Sequence, residues 1–248
     1  MKNKSLKFTL CLLPLTVLAT VLSVLYMLEV SDPAMIKALL EQVGSKAALV
    51  ALSSLQTVLL LSAAAFFGHL LAGKCGLLRP LTFEKKPVLL AVGFAALIAL
   101  LLLGDAVWLG RFYPALSAAN DVGSTPLGIV TALLYGGIME EILMRLGFMT
   151  LLAWIFWKLF SRKASQAPVW TLIAANVLAA LLFAAGHLPA TEAIFGALTP
   201  LLVLRCFLLN GLGGLFFGWL YRKFGLQYAV LSHMSAHIIS KLFYLIFL

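Results

Sequence analysis

Apolar runs of membrane-crossing length, separated by short polar and basic connections, organise this chain from end to end. They cover approximately Phe8 to Leu28, Ala47 to Leu71, Val88 to Leu109, Leu127 to Trp157, Val169 to His187, Leu198 to Tyr221 and Leu226 to Leu248. A helix rises 1.5 Å per residue, so about 20 apolar residues cross a hydrocarbon layer of about 30 Å, and each run predicts a transmembrane helix. The fourth run is longer than one crossing needs; it must tilt, break near Gly147 or protrude, which leaves room for an eighth crossing. Between the first two runs, Ser31-Asp32-Pro33 is a helix-start signal. It opens a segment carrying Lys37, Glu41 and Lys46 that is predicted to lie on the membrane surface. The predicted fold is all-α, a polytopic integral membrane bundle of about seven to eight helices. Neither repeats nor low-complexity linkers divide it.

Composition agrees with the pattern. Hydrophobic residues make up 63% of the 248 positions and charged residues 11%, and mean hydropathy is +1.07, which excludes a water-soluble domain. The net charge of +9 does not point to nucleic acid, because the basic residues stand beside the apolar runs rather than in one block. Lys2, Lys4 and Lys7, then Lys74, Arg79, Lys85 and Lys86, then Lys158, Arg162 and Lys163, then Arg222 and Lys223 occupy alternate connections. Lys37, Lys46 and Arg111 fall on the others. That bias predicts a multi-pass protein of the cell membrane with its N-terminus in the cytoplasm. The first apolar run is too long for a signal peptide and lacks a small-residue cleavage site, so it is read as a retained helix. Cys11, Cys75 and Cys206 are scattered without CxxC spacing, which indicates packing or lipid-facing residues rather than disulfides or a thiolate metal site.

Against this apolar background stands Gly136-Gly137-Ile138-Met139-Glu140-Glu141-Ile142-Leu143-Met144-Arg145. A charged side chain at mid-membrane costs roughly 2.5–3.5 kcal/mol on insertion scales, so such a cluster marks a functional site by default. Glu141 and Arg145 are four apart, on one helical face and in reach of an ion pair. Glu140 projects about 100° away and is left for chemistry. Three of the four histidines lie downstream, in Phe183-Ala184-Ala185-Gly186-His187 and in His233-Met234-Ser235-Ala236-His237, where spacing of four sets both imidazoles on one face. The fourth, His69, reads as a packing or interfacial residue. A carboxylate and imidazoles in a dry pocket are the equipment for activating water. Each piece alone could be structural; three polar elements on three apolar segments, in residue types that fit one reaction, favour a site.

Glu140-Glu141-x-x-x-Arg145, Phe183-x-x-x-His187 and His233-x-x-x-His237 together resemble the three ordered motifs of the CPBP family, the CAAX-processing and bacteriocin-processing intramembrane proteases also called Abi or type II CAAX endoproteases. The resemblance covers about Leu127 to Leu248 and implies N-terminal helices over 1–125 and a catalytic core over 126–248. It implies a peptidase acting on a membrane-associated peptide or protein in the bilayer. Glu140 and His187 would activate the attacking water, His233 and His237 would stabilise the oxyanion, and Glu141 and Arg145 would support them. The family usually has asparagine or aspartate where His237 stands. That change keeps a donor for an oxyanion role and adds a ligand for a metal role. Glu140, His187, His233 and His237 could form an N/O set for Zn2+, with one position left to water; metal-dependent and metal-free mechanisms both remain open at this point.

The sequence also carries rivals and a difficulty. A non-catalytic immunity or partner-binding membrane protein would keep the same residues as a polar network. A proton-coupled transporter would use them as a relay but should show internal repeats. The difficulty is depth: His187 falls near the far end of its helix and His233 about 10 Å into its own. Bringing them together requires a helix broken at Gly186 and Pro189, or a different count of crossings. The pocket is expected from the last four segments. Gly211, Gly214 and Gly218 predict close helix contact, Arg205 is expected to pair with Glu192 or to snorkel, Asn210 can reach the cavity, and Lys241 continues the His233–His237 stripe by one turn.

Overall fold

A computed structural model describes residues 2–247, and among them every regular element is helical. The elements are α1 (Lys2–Val30), α2 (Pro33–Val43), α3 (Lys46–Cys75), α4 (Lys85–Leu109), α5 (Pro114–Gly123), α6 (Pro126–Thr131), two π-helical stretches over Ala132–Glu140 and Ile142–Met149, α7 (Thr150–Phe160), α8 (Val169–Gly186), α9 (Leu188–Phe195), α10 (Pro200–Phe224) and α11 (Leu226–Phe247). Among the described residues seven helical spans are long and apolar enough to cross a membrane, as expected of a multi-pass membrane protein. Their outer faces expose large apolar side chains such as Leu55, Leu59 and Phe67 on α3, a surface suited to lipid.

The caps follow from local chemistry. Asp32 accepts from the amides of Ala34 and Met35 at the start of α2, with Pro33 at the first position. Gly44 closes α2 at φ 87°, a left-handed conformation that glycine adopts without a Cβ penalty. Thr125 and Thr199, each followed by proline, cap α6 and α10 through Gly128 N and Leu202 N.

The long fourth run stays a single helical span, Pro126–Phe160, of 35 residues. It does not break at Gly147. Its middle is wound as a π-helix, with the i→i+5 register that often accompanies functional sites. The wider coil advances less per residue and fits the excess length, which the sequence had assigned to tilt, breakage or protrusion. Thr150 Oγ1 donates to the carbonyl of Arg145, five residues back, at 3.0 Å.

Close approaches fix this span in the bundle. A Cβ on Gly68 of α3 would lie 2.3 Å from the carbonyl oxygen of Leu146, so α3 and the second π-helical stretch meet backbone to backbone. Gly214 and Gly218 of α10 lie close against Ala180 and Asn176 of α8, Gly218 the more tightly, and Gly211 has only Ala184 at ordinary contact distance. The glycine stripe therefore does pack a helix, its partner being α8. On the other side, Ser232 of α11 donates to Ala91 O of α4 at 2.8 Å, and Tyr228 Oη accepts from Glu84 N at 2.8 Å.

Two polar expectations change. Arg205 pairs with Asp105 of α4 through two hydrogen bonds, and not with Glu192. Sequence proximity favoured Glu192, but helix packing places Asp105 opposite, where both ends of a fork can be satisfied. His69 lies apart from the polar centre, bonded to Ser5 Oγ at 2.9 Å and stacked on Phe8. Cys75 and Cys206 are buried, Cys11 is exposed, and all three are free thiols.

Candidate active site

The π-wound segment places Glu140 and Glu141 on different faces. Glu141 and Arg145 are completely buried and 3.2 Å apart, Oε2 to Nε. The other oxygen of Glu141 meets His233 Nδ1 at 2.9 Å. One carboxylate thus joins two cationic or cationisable groups from different helices. The Arg145 guanidinium also lies over two rings, 5.0 Å from the centroid of Phe183 and 5.7 Å from that of Phe217, a cation–π arrangement that helps hold a charge away from water.

Glu140 turns into a cavity of about 420 Å3 with His187, His233 and His237. The three motifs on separate segments therefore meet. Phe183 lies between two of the histidines: its ring centroid is 4.6 Å from that of His187 and 6.1 Å from that of His233. Helix α8 ends at Gly186, His187 occupies the junction, and α9 starts at once with Pro189 in its first turn. At that junction His187 Nδ1 lies 2.8 Å from Phe183 O. A carbonyl only accepts, so this contact puts the proton on Nδ1 and leaves Nε2 a lone pair in the neutral ring.

His233 is sandwiched. Phe217 stacks on one side with centroids 4.5 Å apart, and His237 on the other at 4.9 Å. His237 Nε2 is buried without a partner, over a glycine: a Cβ on Gly136 would lie 2.7 Å from it. Phe217 and Gly136 had no assigned role in the sequence reading. Gly136 stood inside the acidic motif; Phe217 lies between Gly214 and Gly218 with no signal of its own.

The cavity is not built by the last four segments alone, as expected. Ser23 and Tyr26 of α1 and Ile98 and Leu102 of α4 also line it. The correction has a geometric cause, since α4 runs along α11 and α1 closes over the π-helical span. Among the described residues, no three His, Cys, Asp or Glu side chains converge as a metal-ligand group. The four candidate ligands share the cavity without forming such a set.

Fold and site together define a helical membrane protein with a carboxylate–imidazole cavity inside its bundle. Residues 122–239 match the family described as type II CAAX prenyl endopeptidase Rce1-like. That match is consistent with the CAAX-protease family and supports an intramembrane protease with a membrane-associated substrate in general terms. Comparison with curated proteins and with solved structures found no match.

Proposed function

We propose that the protein is an intramembrane endopeptidase in which Glu140 and His187 activate water while His233 and His237 stabilise the oxyanion. The observation that carries this reading is the convergence of the four side chains, from three separate spans, on one cavity inside the bundle. Water held by Glu140 and His187 Nε2 gives up a proton to Glu140 as its oxygen bonds to the scissile carbonyl carbon. The C=O electron pair moves onto oxygen, and the Glu140 proton then passes to the leaving nitrogen as the C–N bond breaks. Donors aimed at the developing oxyanion supply the other half of the catalysis. The Glu141 carboxylate at Nδ1 fixes the His233 ring beside the cavity. His237, with a buried and unpartnered ring nitrogen, adds a second donor.

Substrates in this reading are leader-bearing or otherwise membrane-anchored peptides, cut at the cell membrane by a protein whose N-terminus faces the cytoplasm. The test is cleavage of a pool of membrane-anchored peptides in nanodiscs, read by mass spectrometry. Wild type is expected to cleave, and Glu140→Ala and His187→Ala to lose cleavage. A folded wild type that leaves a broad pool intact would overturn the proposal in favour of an immunity or partner-binding role. Cleavage that survives a chelator assigns water activation to the side chains. Cleavage lost to the chelator and restored by zinc adds a metal to Glu140, His187, His233 and His237.

Gly136→Ala tests the seat of His237. The added methyl displaces the imidazole rather than backbone, so activity is expected to fall roughly 10- to 100-fold, as for a misplaced catalytic group. The melting temperature should change little. An active Gly136→Ala protein would remove His237 from the reaction.

A further inference from the structure

The two ends of the bundle carry opposite charge. Lys74, Lys85, Lys158 and Lys223 stand at one end with the other cations of the basic connections, where Glu84 is the single carboxylate. On the opposite connections Glu29, Asp32, Glu41, Asp121 and Glu192 outnumber Lys37, Lys46 and Arg111. Contacts between distant segments keep the two sets apart. At the basic end Gln227 Nε2 donates to Pro80 O at 2.9 Å. At the acidic end Tyr244 Oη donates to Asp121 Oδ1 at 2.8 Å, and the ring of Tyr113 lies 4.9 Å from that of Phe195. Lysine and arginine collect on the cytoplasmic side of a membrane. The acidic end is then the outer one.

The cavity that holds Glu140 belongs to that acidic end. Its walls include Ser23 and Tyr26 from the last part of α1, Gly123 of α5 and Gly128 from the first turn of the fourth span. His187 follows α8, which starts at Val169 on the basic side, roughly 27 Å away at 1.5 Å per residue. That distance is nearly the whole of a hydrocarbon layer about 30 Å thick. Toward the basic end, beyond Glu141 and Arg145, the bundle is filled: Met149, Trp157, Leu220, Tyr221 and Tyr228 are all buried. Tyr221 Oη and Thr150 Oγ1 share a hydrogen bond of 2.8 Å in that layer. A close-packed interior gives water no path, so water for the reaction comes from the acidic end.

We propose that the cavity opens away from the cytoplasm and that the protein cleaves segments which have already crossed the membrane. Its substrates would be translocated peptides, held to the outer leaflet by a lipid or a single apolar helix, with the scissile bond on the outer side. The cleavage rests on the protease reading; the side rests on charge and packing, independently of it.

Two measurements test the two halves. In a background with Cys11→Ala, Cys75→Ala and Cys206→Ser, single cysteines are placed by Ser23→Cys in the cavity wall, Ala197→Cys on an acidic-end connection and Ser165→Cys on a basic one. Bacterial cells stripped to their inner membrane are treated with a membrane-impermeant charged maleimide before and after lysis. Ser23→Cys and Ala197→Cys are expected to label in whole cells, and Ser165→Cys only after lysis. Labelling of Ser23→Cys only after lysis, or not at all, would overturn the outward opening. The second measurement uses the wild-type chain in right-side-out and inside-out membrane vesicles, with the pool of membrane-anchored peptides added from outside and read by mass spectrometry. Cleavage is expected in right-side-out vesicles and lost in inside-out ones. Equal cleavage in both, or cleavage in inside-out vesicles alone, would refute the assigned side. Outward labelling of Ser23→Cys with no cleavage in either preparation would uphold the opening and refute the protease.

Discussion

Glu140→Gln is expected to lower cleavage by about 10^2- to 10^4-fold, the range that a positioned general base contributes, with no loss of folded protein. The two halves of that expectation come from one fact. Among the described residues Glu140 makes no ion pair and no hydrogen bond; it faces the cavity with the histidines. Glutamine keeps its volume and removes only the site that takes the proton. The neighbouring carboxylate gives the control, because Glu141→Gln leaves a buried arginine without its counter-ion and should reduce stability and activity together. Paired rates and melting temperatures for the two variants in detergent decide the matter. A Glu140→Gln protein that cleaves at the wild-type rate would move the base elsewhere.

Arg145→Met should be the most damaging single change to stability, by about 3–5 kcal/mol, the usual penalty for removing one partner of a buried ion pair. The isolated Glu141 would then rely on His233 alone, and the guanidinium packing on Phe183 and Phe217 would be lost. The double variant Arg145→Met with Glu141→Gln is expected to recover a large part of the loss, since it deletes the stranded charge as well. Denaturant titration of the purified protein in detergent measures both. If the double variant is no more stable than Arg145→Met, the penalty comes from packing and not from charge.

The seven spans could be read from the chain because their signal is compositional: about twenty apolar residues are conspicuous whatever packs against them. The short α5 and α9 lack that signal. The π winding of residues 132–149 was illegible for another reason. It is a change of backbone hydrogen-bond register, and side-chain identity over two or three turns does not record it. The Glu141–Arg145 pair could be read because it is local, and in a wider coil residues four apart still share a face. The contact from Glu141 to His233 crosses 92 positions and that from Arg205 to Asp105 crosses 100; no local pattern announces either. The motif histidines were legible as residue types, while their meeting at one cavity depends on how separate spans pack.

The backbone contact between Gly68 and Leu146 bears on how this machinery can vary. The residues that resemble a protease begin well after α3, yet α3 presses against the carbonyl next to Arg145, and α1 and α4 furnish cavity wall. The front half of the chain is therefore a mould for the back half rather than a detachable anchor. Its sequence is free to drift on the lipid side. Where it touches the π-wound span, a single methyl group would shift the arginine that sets the electrostatics of the whole centre.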